Sequence, residues 1–221
     1  MVECMTKIAV GLFGIHYLEE MNHWCFGKNT VDYRKTYENN KNNIYNLLGS
    51  TSIDYFSATY DSSIYKELLK DYHFRKIQFN EVNNSPATHD DEKFIKRNRI
   101  FKKTIELMID PAYDYDLALI TRYDMRMKVK INDLTFDFDK INVFYKAKWK
   151  GYSEELIDDN FYYMPYNKLQ DFYNNILRIP ENITSHLWGN HLTNIHMAVD
   201  GSYYSHESPV YNINRIKGQN I

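Results

Sequence analysis

Short apolar runs alternating with amphipathic stretches constrain this chain more than any other feature. Residues 7–14 (KIAVGLFG) form an apolar run closed by glycine, the pattern of a buried strand entering a tight turn. Residues 36–48 place Ile44, Leu47 and Leu48 on one helical face and stop at Gly49. Residues 52–59 (SIDYFSAT) read as a second strand. Asp61, Ser62 and Ser63 can cap a helix carrying Ile64, Leu68 and Leu69, and residues 74–79 (FRKIQF) supply a third strand. The order is βαβαβ. Residues 90–108 space Phe94, Phe101, Ile105 and Met108 near helical intervals, with Lys96, Arg97, Arg99, Lys102 and Lys103 distributed around them. Pro111 ends that helix, and residues 116–121 (DLALIT) make a fourth strand. Such alternation predicts an α/β fold with a mostly parallel sheet covered on both faces. The later half differs. Residues 136–138 and 141–145 read as antiparallel strands and 167–177 as a helix, and Pro180 with Glu181 reads as the start of another, since proline suits a first turn.

A length of 221 residues fits one domain, and no repeat or linker-like tract marks a boundary. With 43% hydrophobic and 25% charged residues, disordered, collagen-like and disulfide-scaffold classes are excluded. Lys plus Arg is 27 and Asp plus Glu is 29, so no bulk positive field draws the chain to nucleic acid, and an anionic ligand must be met by local cations. Cys4 and Cys25 are too few for a disulfide framework or a thiolate zinc site. The opening residues MVECMTK lack a leader pattern, and no run approaches the roughly 20 apolar residues that cross a bilayer. The expectation is a soluble, cytoplasmic protein with no membrane span. Twenty tyrosines offer rings that stack on sugars or bases as well as packing a core, and packing is the expected use here.

In an open α/β sheet, ligands bind beyond the carboxyl ends of the strands, so polar residues there are the first candidates. The turn from Gly11 to His16 lets a ligand approach backbone closely, although its glycine spacing is not that of a dinucleotide fingerprint. Arg122-Tyr123-Asp124 follows an apolar strand directly. An aspartate there can hold a divalent cation on a diphosphate, and an adjacent arginine can neutralise phosphate oxygens; a salt bridge between Arg122 and Asp124 is the competing reading. Asp114 and Asp116 form a literal Asp-x-Asp triplet, but they precede the strand and belong at the wrong end of the sheet. Asp137 and Asp139 form another, for which a solvated hairpin face accounts. Asp158 and Asp159 stand before the aromatic run Phe161-Tyr162-Tyr163, where a carboxylate near rings can act as a general base; a turn cap is the alternative. His186, His191, His196 and His206 have no metal-motif spacing, though one of them could complete a site begun by Asp124.

Taken in order, KIAVGLFG, IDYFSATYDS, the helix before YDLALITRYDM, and IDDNFYYMP followed by a helix resemble small GT-A-fold glycosyltransferases, including those of large DNA viruses and bacterial polysaccharide clusters. The resemblance covers most of the chain, and its sharpest element is the apolar strand ending in Arg-x-Asp, a variant of that family's Asp-x-Asp motif. It implies a GT-A-like (nucleotide-diphospho-sugar transferase) three-layer fold, with a mostly parallel sheet and a small antiparallel extension. One domain over 1–221 would have a nucleotide-binding half at about 1–125 and an acceptor-side half at about 126–221. The implied activity transfers a sugar from a UDP-linked nucleotide-sugar donor to a hydroxyl on a glycan or glycoprotein. By position, Phe13 and Gly14 lie beside the nucleotide, Thr59 to Asp61 lie near base or ribose, and Arg97 reaches phosphate. Asp124 binds Mn²⁺ or Mg²⁺, Asp159 with neighbouring Asp158 faces the acceptor as base, and His191 adds a phosphate or metal contact. The chain departs from the family at Arg122, which stands where the first aspartate belongs and brings a cation of its own.

Three other functions compete. A sugar-phosphate nucleotidyltransferase needs an early glycine-rich basic signature, and residues 11–20 contain no Lys or Arg. A carbohydrate-binding or assembly protein that keeps the fold without turnover would explain Arg122. A metal-dependent nuclease built on Asp124, Asp137 and Asp139 is opposed by the net charge of −2.

Overall fold

The computed structural model describes residues 6–23, 27–48, 52–80, 90–148, 156–183, 192–204, 207–213 and 216–217. β1 (Lys7–Phe13) turns into the hairpin β2 (Tyr17–His23) and β3 (Gly27–Asp32). Next come α1 (Arg34–Asn43), β4 (Ser52–Tyr60), α2 (Tyr65–Tyr72), β5 (Lys76–Asn80), α3 (Asp90–Met108) and β6 (Leu117–Arg122). The later part contains β7 (Met125–Met127), β8 (Ile141–Val143), β9 (Lys146–Ala147), β10 (Leu156–Ile157) and β11 (Phe161–Pro165). It ends with α4 (Leu169–Leu177), β12 (Ile195–Met197), β13 (Ser202–Tyr203), β14 (Tyr211–Ile213) and β15 (Ile216–Lys217).

Among the described residues the central sheet has seven strands in the order β12-β8-β11-β6-β1-β4-β5. β1 runs parallel to both β6 and β4, and β5 continues parallel beyond β4. β11 is inserted antiparallel between β6 and β8, and β12 is parallel to β8. Every strand except β11 therefore points the same way, as the alternating sequence predicts. Small sheets form from β10-β9-β13, β14-β7 and β15-β3-β2.

The alternation within β1 explains the layering. Ile8, Val10 and Leu12 face one side, packed in a cluster with Leu68 and Tyr72 of α2. Ala9 and Phe13 face the other, with Phe101, Ile105 and Met108 of α3 and Phe172 and Ile176 of α4. Phe101 and Phe13 meet edge to face at 4.8 Å between ring centroids. Gly11 lies under α3, where a Cβ would stand 3.0 Å from Thr104 Cγ2 and collide with Met108 Sδ. Its missing side chain lets the helix sit close to the strand.

Several local expectations are corrected. The β2–β3 hairpin intervenes before α1, because residues 17–32 carry no apolar run that announces strands. Helix α1 ends at Asn43; buried Ile44 leaves helical geometry at φ −122° and a 3-10 turn, Tyr45–Leu47, follows. Ile64 precedes α2 without a side-chain cap, while Asp61 Oδ1 accepts from the Ser62 amide at 2.8 Å; Leu69 is 37% exposed. Residues 136–138 are not a strand. Buried Asn142 ties that segment down, its Oδ1 accepting from the Asp137 amide at 2.8 Å and its Nδ2 donating to the carbonyls of Asp137 and Tyr163, each at 2.9 Å. β8 stops at Val143; it pairs antiparallel with β11, as expected, and parallel with β12 on its other side. Residues 181–183 turn instead of starting a helix, and 184–191 lie outside the described residues, as does Gly49. Among the described residues no helix is long and apolar enough to cross a membrane.

Candidate functional site

Parallel β1, β4 and β6 bring their carboxyl ends to one edge of the sheet, where Phe13 stands opposite Ala58 on one side and Arg122 on the other. Reversed β11 begins at that same edge, with Phe161 opposite Thr121, so residues 158–160 arrive there as well. The strand directions thus gather residues far apart in sequence, and Arg122, Asp124, Asp158 and Asp159 meet where the sequence places them.

Arg122 and Asp124 form a side-on pair. Arg122 Nε donates to Asp124 Oδ1 and Nη2 to Asp124 Oδ2, both at 2.7 Å, and their side chains are 15% and 6% exposed. Tyr123 between them points inward, its hydroxyl donating to Ser57 Oγ at 2.6 Å. Arg122 Nη1 donates to Asn160 Oδ1 at 3.2 Å. Burial pulls the Arg122 guanidinium toward neutrality, but the charge and hydrogen bonds of Asp124 outweigh it and hold the pKa above the usual arginine value. Asn160 Nδ2 donates to Asp158 Oδ1 at 3.0 Å and to Tyr211 Oη at 2.8 Å, and the Tyr211 hydroxyl donates to Asp158 Oδ1 at 2.6 Å. The Tyr145 hydroxyl donates to Tyr211 Oη at 2.8 Å. A continuous chain of hydrogen bonds therefore runs from Tyr145 to Asp124. Beside it, Arg97 Nη2 binds both the Asp159 carbonyl at 2.7 Å and Asp159 Oδ2 at 2.8 Å, with its guanidinium carbon 5.2 Å from the Phe13 ring centroid.

A second group closes the β1 turn. Gly14 has φ +97°, a conformation that suits glycine, and a Cβ added there would meet no atom within 4 Å, so the space beside the strand end is open. The Thr59 hydroxyl donates to the Gly14 carbonyl at 2.8 Å. Its one proton is thus committed, so His16 Nδ1 donates to Thr59 Oγ1 at 2.8 Å, and Nε2 accepts from Ser62 Oγ at 2.7 Å. Burial pushes the His16 pKa down to about 4 against the opposing charge of Asp61, and the ring is neutral at pH 7.

Not every expected residue joins the cluster. Thr59 is fully buried and serves the turn, while Asp61 is exposed and caps its own turn. Asp114 and Asp116 bind Lys7 at the amino end of the sheet, as predicted. Asp137 pairs with Lys140 at 2.8 Å in a turn rather than on a hairpin face. His196 Nε2 lies 3.2 Å from the Thr135 carbonyl, and His191, His186 and His206 lie outside the described residues. A divalent cation does not fit the donors gathered here. Asp124 already presents both oxygens to Arg122, and among the described residues no three His, Cys, Asp or Glu side chains form a possible ligand group.

Tyr145 and Tyr211 are the members that sequence reasoning misses, whereas His16 bounds the candidate Gly11–His16 turn and Asn160 directly follows the paired acids. Tyr211 is distant in sequence and carries no local signal. No protein-family model matches the chain, and no curated protein sequence matches it.

Proposed function

We propose that this chain is a GT-A-like glycosyltransferase that moves a sugar from a UDP-linked donor to a hydroxyl of a glycan or glycoprotein. The observation that carries this reading is Arg122 at the carboxyl edge of β6. A guanidinium has five N–H donors, and the contacts of Arg122 use three, leaving two for a ligand oxyanion next to the open space at Gly14. The mostly parallel sheet with one reversed strand adds support, as does the acidic loop delivered by that strand.

In this reading the donor diphosphate accepts from Arg122, and the acceptor oxygen attacks the anomeric carbon. The bond from that carbon to phosphate breaks, the hydroxyl proton passes to the Asp159 carboxylate, and the nucleoside diphosphate leaves with its charge facing the guanidinium. This is the inverting course. Arg97 orients Asp159 through its two contacts. The Mn²⁺ or Mg²⁺ implied by the resemblance has no role in these steps, because Arg122 holds the carboxylate a metal would use.

Calorimetric titration with UDP tests the reading. Saturable binding is expected in EDTA, little changed by Mn²⁺, and at least tenfold weaker in Arg122→Lys, which keeps the charge but loses the fork. No binding at millimolar UDP with or without Mn²⁺ would overturn it. A second reading, a carbohydrate-binding or assembly protein without turnover, is favoured by one observation: Asp124, Asp158 and Asp159 are all engaged by the protein's own donors. Transfer or hydrolysis of a panel of nucleotide sugars by wild type and Asp159→Asn separates the two. Sugar binding without turnover in both selects the binding protein.

A further inference from the structure

On the outer side of α3, away from the Arg122 cluster, a shallow depression of about 410 Å³ lies among β5, α3 and the end of α4. Lys102, Arg99 and Lys103 line it, together with Glu106 and Glu181. Two of the cations are balanced. Arg99 Nε is 2.8 Å from Glu181, and Lys103 Nζ is 2.9 Å from Glu106.

Lys102 is different. It is only 9% exposed, and its ammonium makes one hydrogen bond, to the Ile179 carbonyl at 3.2 Å. An ammonium has three N–H donors, so two remain unused, and no carboxylate of the described residues pairs with it. Burial lowers the Lys102 pKa, only partly opposed by Glu181, whose carboxylate is held by Arg99. A buried cation without a counter-ion is costly unless something completes it. Gln78 and Asn80 bring side-chain amides to the same depression, and Ile100 and half-exposed Leu177 give it an apolar wall.

We propose that this depression is a second binding site, for a small phosphate-bearing anion, with Lys102 as the buried anchor and Arg99 and Lys103 as rim cations. A tetrahedral oxyanion suits it because it can accept from several donors that converge from different elements. The volume suits a phosphomonoester or free phosphate. The inference does not depend on sugar transfer.

The test is thermal unfolding of the full chain titrated with inorganic phosphate and, separately, glucose 6-phosphate, each against KCl at matched ionic strength. Wild type is expected to gain midpoint temperature saturably, above the KCl control. Stronger saturation by the ester assigns an organic phosphate, and equal saturation assigns free phosphate. Lys102→Met should weaken the response at least tenfold while leaving UDP affinity unchanged, and its own midpoint should equal or exceed that of wild type, since an unpaired ammonium has been removed. If that variant does not fold, Arg99→Ala combined with Lys103→Ala changes only rim groups, the first exposed and the second partly exposed, and should weaken the response severalfold. A phosphate response equal in wild type and variants, absent from wild type, or lost together with UDP binding overturns the proposal.

Discussion

His16 has both ring nitrogens committed, one to Thr59 and one to Ser62, and no solvent contact. Protonating it would place a new N–H on Nε2, facing the Ser62 hydroxyl that donates to it. Its folded pKa of about 4 lies below the unfolded value of 6.5, so between those values the unfolded chain binds the extra proton. Stability is therefore full above pH 6.5 and falls as pH drops toward 4, by about 3 kcal/mol in total. Urea unfolding at pH 7 and pH 4.5 should show this loss in wild type, and His16→Gln should remove most of the difference. At this scale the sequence marks Asp124 and Asp159 well, because acids flanking strand ends are visible in one dimension. The Arg122–Asp124 salt bridge, offered there as the competing reading, is what forms, whereas nothing in the spacing reveals that Arg97 closes on Asp159, since that pairing joins side chains from distant elements.

Helix α3 begins at Asp90 and ends at Met108, the bounds that its apolar spacing predicts, and β1, β4 and β6 are equally legible from their apolar runs. Such elements are bound by burial on one or both faces, which writes a period into the sequence. The β2–β3 hairpin is invisible because its few apolar residues, among them the paired Leu18 and Val31, are scattered among polar ones and form no run. The cap expected from Asp61 to Ser63 does not form, and the Asp61 and Ser62 side chains bind the Ser62 amide and His16 instead of the helix amides. The contact of α3 with β1 depends on Gly11. Gly11→Val would overpack that interface against Met108 and Thr104 and should cost about 1–3 kcal/mol, read as a lower urea midpoint with unchanged slope.

Across the whole molecule, the candidate site is assembled by topology. β11 returns against β6, and β14 pairs with β7, which delivers Tyr211 to the far end of the hydrogen-bond chain. Tyr211 donates once and accepts twice through a single hydroxyl. Burial, then the nearby Asp158 carboxylate, drives its pKa well above the usual phenol value, so it stays a donor to that carboxylate. Tyr211→Phe leaves Tyr145, Asn160 and Asp158 each short of a partner and should cost about 1–3 kcal/mol by chemical denaturation, with UDP affinity falling alongside. No pattern near position 211 announces this role, because the contact exists only after two separate sheets have formed.

That late hydroxyl ties the molecule to its own synthesis. A nascent chain that has emerged only as far as Arg122 already contains the residues of β1, β4, β5 and β6 and the two arginines, yet Asp158, Asn160 and Tyr211 are still to come. A product that stops there would therefore lack the hydrogen-bond chain that links Tyr145 to Asp124, because that chain is completed only by residues near the end of the sequence.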